Sequence, residues 1–215
     1  MALTGVNLGQ VRNAIAKVMG DSNSVVSAMH SATSTFVEPM SQAWASEQAV
    51  EFFKAYKEVA DNIIKETVKV CKSVMDSMDS AASNWAALNG ASYSKVNGNI
   101  LEKEVDVSSI KNNIGGTRGI DVNVATDLAK QQLGAIRERI AGYFDDVVGV
   151  LNANTGFLDD NNQQTSALVS SVTSIGENIG NALLNLENQA NTKINETVEA
   201  HGTFVSSVSS AFSGK

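Results

Sequence analysis

The side chains that most often carry chemistry in proteins are few in this sequence and stand apart from one another. The two histidines, His30 and His201, have no cysteine or paired carboxylate nearby at metal-ligand spacing, and Cys71 is the single cysteine. One cysteine cannot form a disulfide within the chain. We therefore predict structural or solvent-exposed roles for these three residues, and no metal site.

Three further segments can be compared with known ligand sites. Residues 115–119 are glycine-rich but lack the Gly-x-x-x-x-Gly-Lys-Ser/Thr pattern that cradles phosphate. The acidic pair Asp145-Asp146 lies on a predicted helix, where neighbouring residues point to different faces. The pair Asp159-Asp160 is a favourable signal for a helix N-terminus. With no catalytic constellation in view, we predict a non-enzymatic protein without a cofactor.

Composition favours long helices over sheets. The 215 residues are enough for a sizeable core, and they are 43% hydrophobic but only 6% aromatic, with a single proline. The formal net charge is −7, and residues 121–215 carry most of it, with 5 basic against 11 acidic side chains. Sequence-independent binding of nucleic acid requires a basic surface, so we exclude a nucleic-acid partner.

Two long helices are predicted in the first 90 residues. Apolar residues spaced alternately three and four apart run from Leu8 to Phe36, and a second stripe of the same kind runs from Ala49 to Leu88. Such spacing is typical of helices that pack lengthwise against a neighbour. When the chain folds back between them, Phe36 comes opposite Phe52, so the two stripes meet.

The stretch between these helices contains the only proline, Pro39, and one of the two tryptophans, Trp44. A helix rarely continues through a proline. Ser46 can cap a new helix, and Glu47 then lies near the positive end of that helix. We therefore predict a turn over residues 37–46, with Trp44 packed between the two arms of a helical hairpin and the second helix starting at Glu47.

The second half of the chain has a similar pattern after a break. Turn signals such as Asn89-Gly90 and Gly115-Gly116 interrupt the periodicity, and we assign residues 91–120 to a linker. Apolar stripes then predict a third helix over residues 122–151 and a fourth over residues 161–212, joined by a turn at residues 152–160.

The predicted fold is all-α, with two long antiparallel helical hairpins forming an elongated four-helix bundle. Its domains are a first hairpin (residues 1–90), the linker (91–120) and a second hairpin (121–215). Two helices alone leave much of each apolar stripe in water, and packing the hairpins together covers both. The sequence leaves open whether this happens within one chain or between the two chains of a homodimer.

The fourth predicted helix is longer than the third. Pairing across the turn covers it back to about residue 192, since the two helices run antiparallel from that turn. The remainder must pack on the first hairpin, on another chain or on a membrane surface. We predict that it forms a partner-binding surface, whose residues are Ile194, Val198, Phe204, Val205, Val208 and Phe212.

Nothing in the sequence predicts a membrane span. No apolar run approaches the roughly 18 residues that a transmembrane helix needs. The first residues, Met1–Asn7, lack the charged segment and apolar stretch of a secretory signal peptide. We therefore expect a protein that is cytoplasmic or leaves the cell by a leaderless route.

The first hairpin resembles the WxG family, the ESAT-six-like helical-hairpin proteins that bacterial type VII secretion systems export. The residues that carry the likeness are Trp44, Ala45 and Ser46 at the turn, followed by Ala49, Phe53 and Tyr56 at the family's spacing. Ser46 stands where the family has glycine, and both residues serve as helix N-caps. The likeness covers about residues 1–90, and the second hairpin resembles the family in architecture alone.

One family feature is missing. Family members, or their partners, commonly carry Tyr-x-x-x-Asp/Glu after the second helix. The residues four positions after the three tyrosines of this chain are Ala60, Asn97 and Val147. The resemblance therefore does not extend to the element associated with self-directed export.

The resemblance implies a secreted or secretion-associated protein of a type VII system that acts through protein–protein interaction. Such a protein is cytoplasmic before export and is then released or held at the bacterial cell surface. Its partner would be the secretion machinery or a co-secreted helical protein, and its two hairpins would imitate the family's two-hairpin dimer.

Two alternative functions stay open. One is a membrane-active, pore-forming helical toxin component, which the negative charge and the lack of a basic amphipathic face disfavour. The other is a structural assembly subunit.

Overall fold

A computed structural model describes the backbone of residues 7–108 and 119–213, with side chains as far as residue 210. Its helices are α1 (Leu8–Ala32), which runs into a π-helical turn (Thr33–Val37), then α2 (Glu38–Ala43), α3 (Glu47–Leu88), α4 (Val122–Ala153), α5 (Thr155–Asp160) and α6 (Thr165–Ser213). Two short strands, β1 (Trp44–Ala45) and β2 (Gly119–Ile120), pair with each other. The helices pack against one another, so the chain is an all-α helical bundle, as predicted.

The chain divides into two compact units. Within the described residues, the first unit comprises residues 7–28, 62–103 and 138–180. Its core contains Ile15, Val18, Cys71, Val74, Met78, Val147, Leu151 and Leu158. The buried phenol of Tyr143 donates a hydrogen bond to the carbonyl oxygen of Thr67 at 3.2 Å.

The second unit comprises residues 29–61, 104–108, 119–137 and 181–213. Its core contains Phe36, Met40, Trp44, Phe52, Tyr56, Leu133, Leu183, Leu186 and Ile194. The rings of Phe36 and Phe52 meet edge to face at 6.2 Å, which confirms the predicted register between the first two long helices.

The first turn is much shorter than predicted. The expectation of a turn over residues 37–46 is wrong for residues 37–43, which are helical. In the π-helical turn, the Glu38 N–H donates to the carbonyl of Thr33, five residues back. Pro39 follows in the first turn of α2, where a missing N–H is tolerated. The chain leaves helical geometry only at Trp44, with φ −142° and ψ 105°.

The second turn also differs from the prediction. Residues 155–160, which we expected to be non-helical, form α5, and the following helix begins at Thr165 instead of Asn161. Asn162 adopts a left-handed conformation with φ 63°, which asparagine tolerates better than most residues. The Asp159 carboxylate accepts the Thr165 N–H at 3.0 Å and so fixes the start of α6.

Residues 91–108 of the predicted linker contain no helix or strand. In the second unit, Val105 is buried, and its N–H donates to the Asp61 carboxylate at 2.9 Å. Residues 91–103 belong to the first unit. The expectation of turns at residues 115–119 falls largely outside the described residues.

Candidate interaction site

The turn at Trp44 is fixed by a second segment of the same unit. Trp44 pairs in antiparallel fashion with Ile120, and Ala45 pairs with Gly119. The Asp121 N–H adds a hydrogen bond of 2.8 Å to the carbonyl of Ala43. These bonds pair backbone N–H and C=O groups that the ends of the helices leave without partners, and they hold the turn against the second segment.

Trp44 lies inside the second unit, where it contacts both α3 and α6. Its side chain is only 1% exposed, and its ring packs against Phe52 with centroids 5.6 Å apart. A buried indole N–H needs an acceptor. Trp44 Nε1 finds one in the hydroxyl of Thr197 on α6, at 3.0 Å.

Ser46 caps α3 and contacts the same threonine. Its Oγ accepts the N–H of Ala49, three residues on, at 3.1 Å, which confirms the predicted N-cap. The Thr197 hydroxyl donates to the carbonyl of Lys193 at 2.9 Å, so its oxygen is left to accept hydrogen bonds. It therefore accepts from Trp44 and, at 3.1 Å, from the Ser46 hydroxyl.

An ion-pair group lies one helical turn before Thr197. Lys193 contacts the Glu51 carboxylate at 2.8 Å and the Glu196 carboxylate at 3.0 Å. The hydrogen bond from Lys193 holds the pKa of Glu51 below its ordinary value, and the two carboxylates raise the pKa of Lys193. Glu51 is exposed, and Lys193 and Glu196 are partly exposed, so these ion pairs orient α6 on α3 and contribute little to stability.

The structure buries the first residue of the predicted partner-binding surface and exposes the next four. Ile194 is only 2% exposed and packs inside the second unit, where Thr197 is also buried. This part of α6 therefore packs on the first hairpin, which was one of the three expected options. Phe212 lies outside the residues whose side chains the structure describes.

The remaining apolar residues of that surface are exposed. The exposed fractions are 43% for Val198, 66% for Phe204, 51% for Val205 and 38% for Val208. Every described side chain from residue 198 to residue 210 is exposed, and Glu199 is the only one of them with a formal charge in the sequence. We call residues 198–210 the exposed segment of α6.

The apolar face of the exposed segment continues a buried one. Ala190 and Ile194 are buried four residues apart, and Val198 follows after four more. Val205 and Val208 come back to the same side of the helix at spacings of seven and three. The face that packs inside the unit up to Thr197 is thus presented to solvent beyond it.

The residues whose types could support catalysis or metal binding lie outside this site. Cys71 is buried, and desolvation raises the pKa of its thiol, so it is a poor nucleophile. His30 is partly buried and His201 is exposed. Across residues 7–108 and 119–213, no group of three or more His, Cys, Asp or Glu side chains could hold a metal ion. In the same residues, no helix is both long and apolar enough to span a membrane.

Sequence reasoning missed Thr197, although this residue joins Trp44, Ser46 and α6. The apolar residues Ile194 and Val198 on either side carry the stronger sequence signal, because apolar spacing does not register a polar residue. Its position three residues after Ile194 places it on the buried face, and a hydroxyl there was a signal that a polar partner faced it.

The structure is thus a helical bundle in which the tryptophan turn is bound to α6, and α6 extends beyond this contact with an exposed apolar face. No family model, curated protein or solved structure matches the chain.

Proposed function

We propose that this chain is a non-enzymatic helical protein of a type VII-like secretion system and that it acts by binding another protein. The observation that carries the proposal is the exposed segment of α6, with Phe204 and Val205 more than half exposed. Exposed apolar side chains concentrated on one helix are typical of a protein-interaction site. The sequence resemblance at Trp44 and Ser46 supplies the link to secretion.

The expected mode of binding is helix pairing. An apolar face with three- and four-residue spacing fits the complementary face of a second helix, as in a coiled coil. The near absence of charge in the exposed segment means that the partner needs no complementary charge, and its contacting face should be aliphatic or aromatic. Trp44 and Thr197 hold the base of the segment in place.

Secretion provides the test. The chain is expressed in a bacterium with an active type VII system and in the same strain with that system inactivated. We expect the chain in the culture medium only in the first case. A variant with Phe204→Ser, Val205→Ser and Val208→Ser should stay in the cells, because it cannot bind its co-exported partner.

Leu184→Ser is the matched control, since Leu184 is 44% exposed on α6 but lies outside the exposed segment. This variant should be exported like the unchanged chain. Recovery of the unchanged chain from both strains, or from neither, would contradict a role in type VII secretion. Export of the triple variant at the normal level would contradict the role of the exposed segment.

A further inference from the structure

Side chains of α1 and α3 hold residues 91–103 of the first unit, which we call the strap. They do so largely by hydrogen bonds to main-chain groups of the strap. The strap has no regular secondary structure, and most of its side chains are exposed. Its polar contacts with the two helices nevertheless involve main-chain groups of the strap at four positions. Those residues are Ser94, Val96, Asn99 and Leu101.

Asn23 on α1 makes the most specific of these contacts. Its Nδ2 donates to the carbonyl of Asn99 at 2.9 Å, while its Oδ1 accepts the N–H of Leu101 at 2.8 Å. In an extended chain, the C=O of one residue and the N–H of the second residue after it point to the same side. A planar amide with one donor and one acceptor therefore fits an extended backbone of any sequence.

Two further side chains hold the strap on the N-terminal side of this contact. Arg12 donates to the carbonyl of Ser94 at 2.7 Å. Asp79, whose side chain is buried with 5% exposed, accepts the Val96 N–H at 3.5 Å and the phenol O–H of Tyr93 at 2.5 Å. The carboxylate therefore contacts both the backbone of the strap and one of its side chains.

We call the surface of α1 and α3 under the strap, which carries Arg12, Met19, Asn23, Lys72 and Asp79, the groove. Besides the backbone it contacts two side chains of the strap, and one of them is the Glu102 carboxylate, which pairs with Lys72. The hydroxyl of Tyr93 supplies the close hydrogen bond to the buried Asp79. Gly98 lies against the Met19 side chain, and a Cβ at this position would come within 2.1 Å of the Met19 sulfur. The preferred occupant is thus an extended peptide with a tyrosine, and a residue larger than Gly98 fits only if the flexible end of the Met19 side chain moves aside.

We propose that this groove is a binding site for an extended peptide of a partner protein, which the chain's own strap fills in cis. The bonds from Arg12 and Asn23 to the strap lie at the surface, where their net contributions are modest, whereas the bonds to Asp79 are partly buried. The strap has no regular secondary structure of its own, and such segments open at lower free energy than the helices. A peptide with a tyrosine at the position of Tyr93 can then take its place. This site is distinct from the exposed segment of α6 and does not depend on the proposed secretion function.

The test uses a full-length chain whose strap is weakened while the groove is intact. Tyr93→Ala with Gly98→Val removes the bond to Asp79 and crowds Met19. A fluorescent peptide of residues 91–103 should bind this variant about tenfold more tightly than it binds the unchanged chain, in which the strap competes. Anisotropy measures the binding, and circular dichroism confirms the helical fold. If the double variant loses helix, Tyr93→Phe alone replaces it, because this change removes only the hydroxyl that donates to Asp79.

The matched controls are on α1. Adding Asn23→Ala to the weakened chain should reduce peptide binding by about tenfold or more, whereas Asn13→Ala, at an exposed position on the same helix, should not. A peptide with Tyr93→Phe should bind more weakly than the native peptide. No binding to a folded variant, or equal binding after Asn23→Ala and Asn13→Ala, would overturn the proposal. If the unchanged chain is a dimer and the peptide dissociates it, the groove binds the strap of a second copy of the chain. That result would overturn the proposal of a partner protein.

Discussion

At the scale of single residues, one hydroxyl group links the turn to α6. The Thr197 oxygen accepts from Trp44 and Ser46, and its proton goes to the carbonyl of Lys193. All the hydrogen-bonding capacity of that hydroxyl is used. Because Trp44, Ser46 and Thr197 are all buried, water cannot replace a lost partner.

Thr197→Val should therefore destabilise the chain clearly. Valine has nearly the same shape but leaves the Trp44 N–H and the Ser46 hydroxyl buried and unpaired, at a cost of about 1–3 kcal/mol. Denaturant unfolding followed by circular dichroism measures the loss. The control is Thr203→Val, since the Thr203 hydroxyl bonds the Glu199 carbonyl in the same way but is exposed. That change should stay within about 0.5 kcal/mol.

A double-mutant cycle tests whether Ser46 and Thr197 act as one network. Ser46→Ala removes the N-cap of α3 and one bond to Thr197, and on its own it should cost about 0.5–2 kcal/mol. Combined with Thr197→Val, the loss should be smaller than the sum of the two single losses, because the shared bond is removed only once. Simple additivity would show that the Ser46–Thr197 contact contributes nothing.

At the scale of the elements, the long helices are fixed at their starts by short polar contacts. Ser46 begins α3, and Asp159 begins α6 by accepting the Thr165 N–H. That hydrogen bond holds the pKa of Asp159 below its ordinary value. Because the pKa of Asp159 is lower in the native state than in the unfolded chain, the bond stabilises the native state at pH values above the unfolded-chain pKa. This stabilisation is lost as the pH falls through the native-state pKa.

Asp159→Ala should loosen the first turn of α6. We expect the Thr165 amide to exchange its hydrogen several-fold faster than in the unchanged chain, measured by nuclear magnetic resonance near neutral pH. Asp160→Ala is the control, because this exposed neighbour lies in the same short helix α5. In the unchanged chain, the protection of this amide should decline below about pH 4, as the carboxylate is protonated. Equal exchange in the two variants would contradict the role of Asp159.

At the scale of the whole molecule, the three tyrosines report on the integrity of both units. Burial raises the pKa of Tyr56, Tyr93 and Tyr143 above the ordinary value, and Asp79 adds to the effect at Tyr93. Because the pKa of each tyrosine is higher in the native state, burial of the neutral phenols stabilises the fold at pH values below the unfolded-chain pKa, which is near 10. This stabilisation is lost as the pH rises through the native-state pKa.

The tyrosines of the native chain should therefore stay protonated beyond pH 10 and then ionise together with unfolding. Ultraviolet absorbance of the tyrosinate form and far-ultraviolet circular dichroism should change over the same pH range. The same chain in concentrated denaturant should titrate near pH 10. Ionisation of all three tyrosines near pH 10 with the helices intact would contradict their burial.

Patterns in the sequence are enough to predict the all-α fold, the start of α3 at Glu47 and the register of Phe36 against Phe52. These features follow from local causes: apolar spacing and a serine placed to cap a helix. The same local reasoning overestimated the first turn, because it treated Pro39 as a helix breaker. The preceding π-helical turn lets the helix continue as far as Ala43.

Which polar groups contact each other cannot be predicted from these patterns, because the partners are far apart in the sequence. Thr197 is 153 residues from Trp44 in the sequence, and Asn23 is 76 residues from Asn99. Periodicity shows which side of a helix faces inward, but it does not show which donor lies opposite which acceptor. That choice depends on how the helices and the strap pack together, and the same packing separates the buried Ile194 from the exposed Val198 on one apolar stripe.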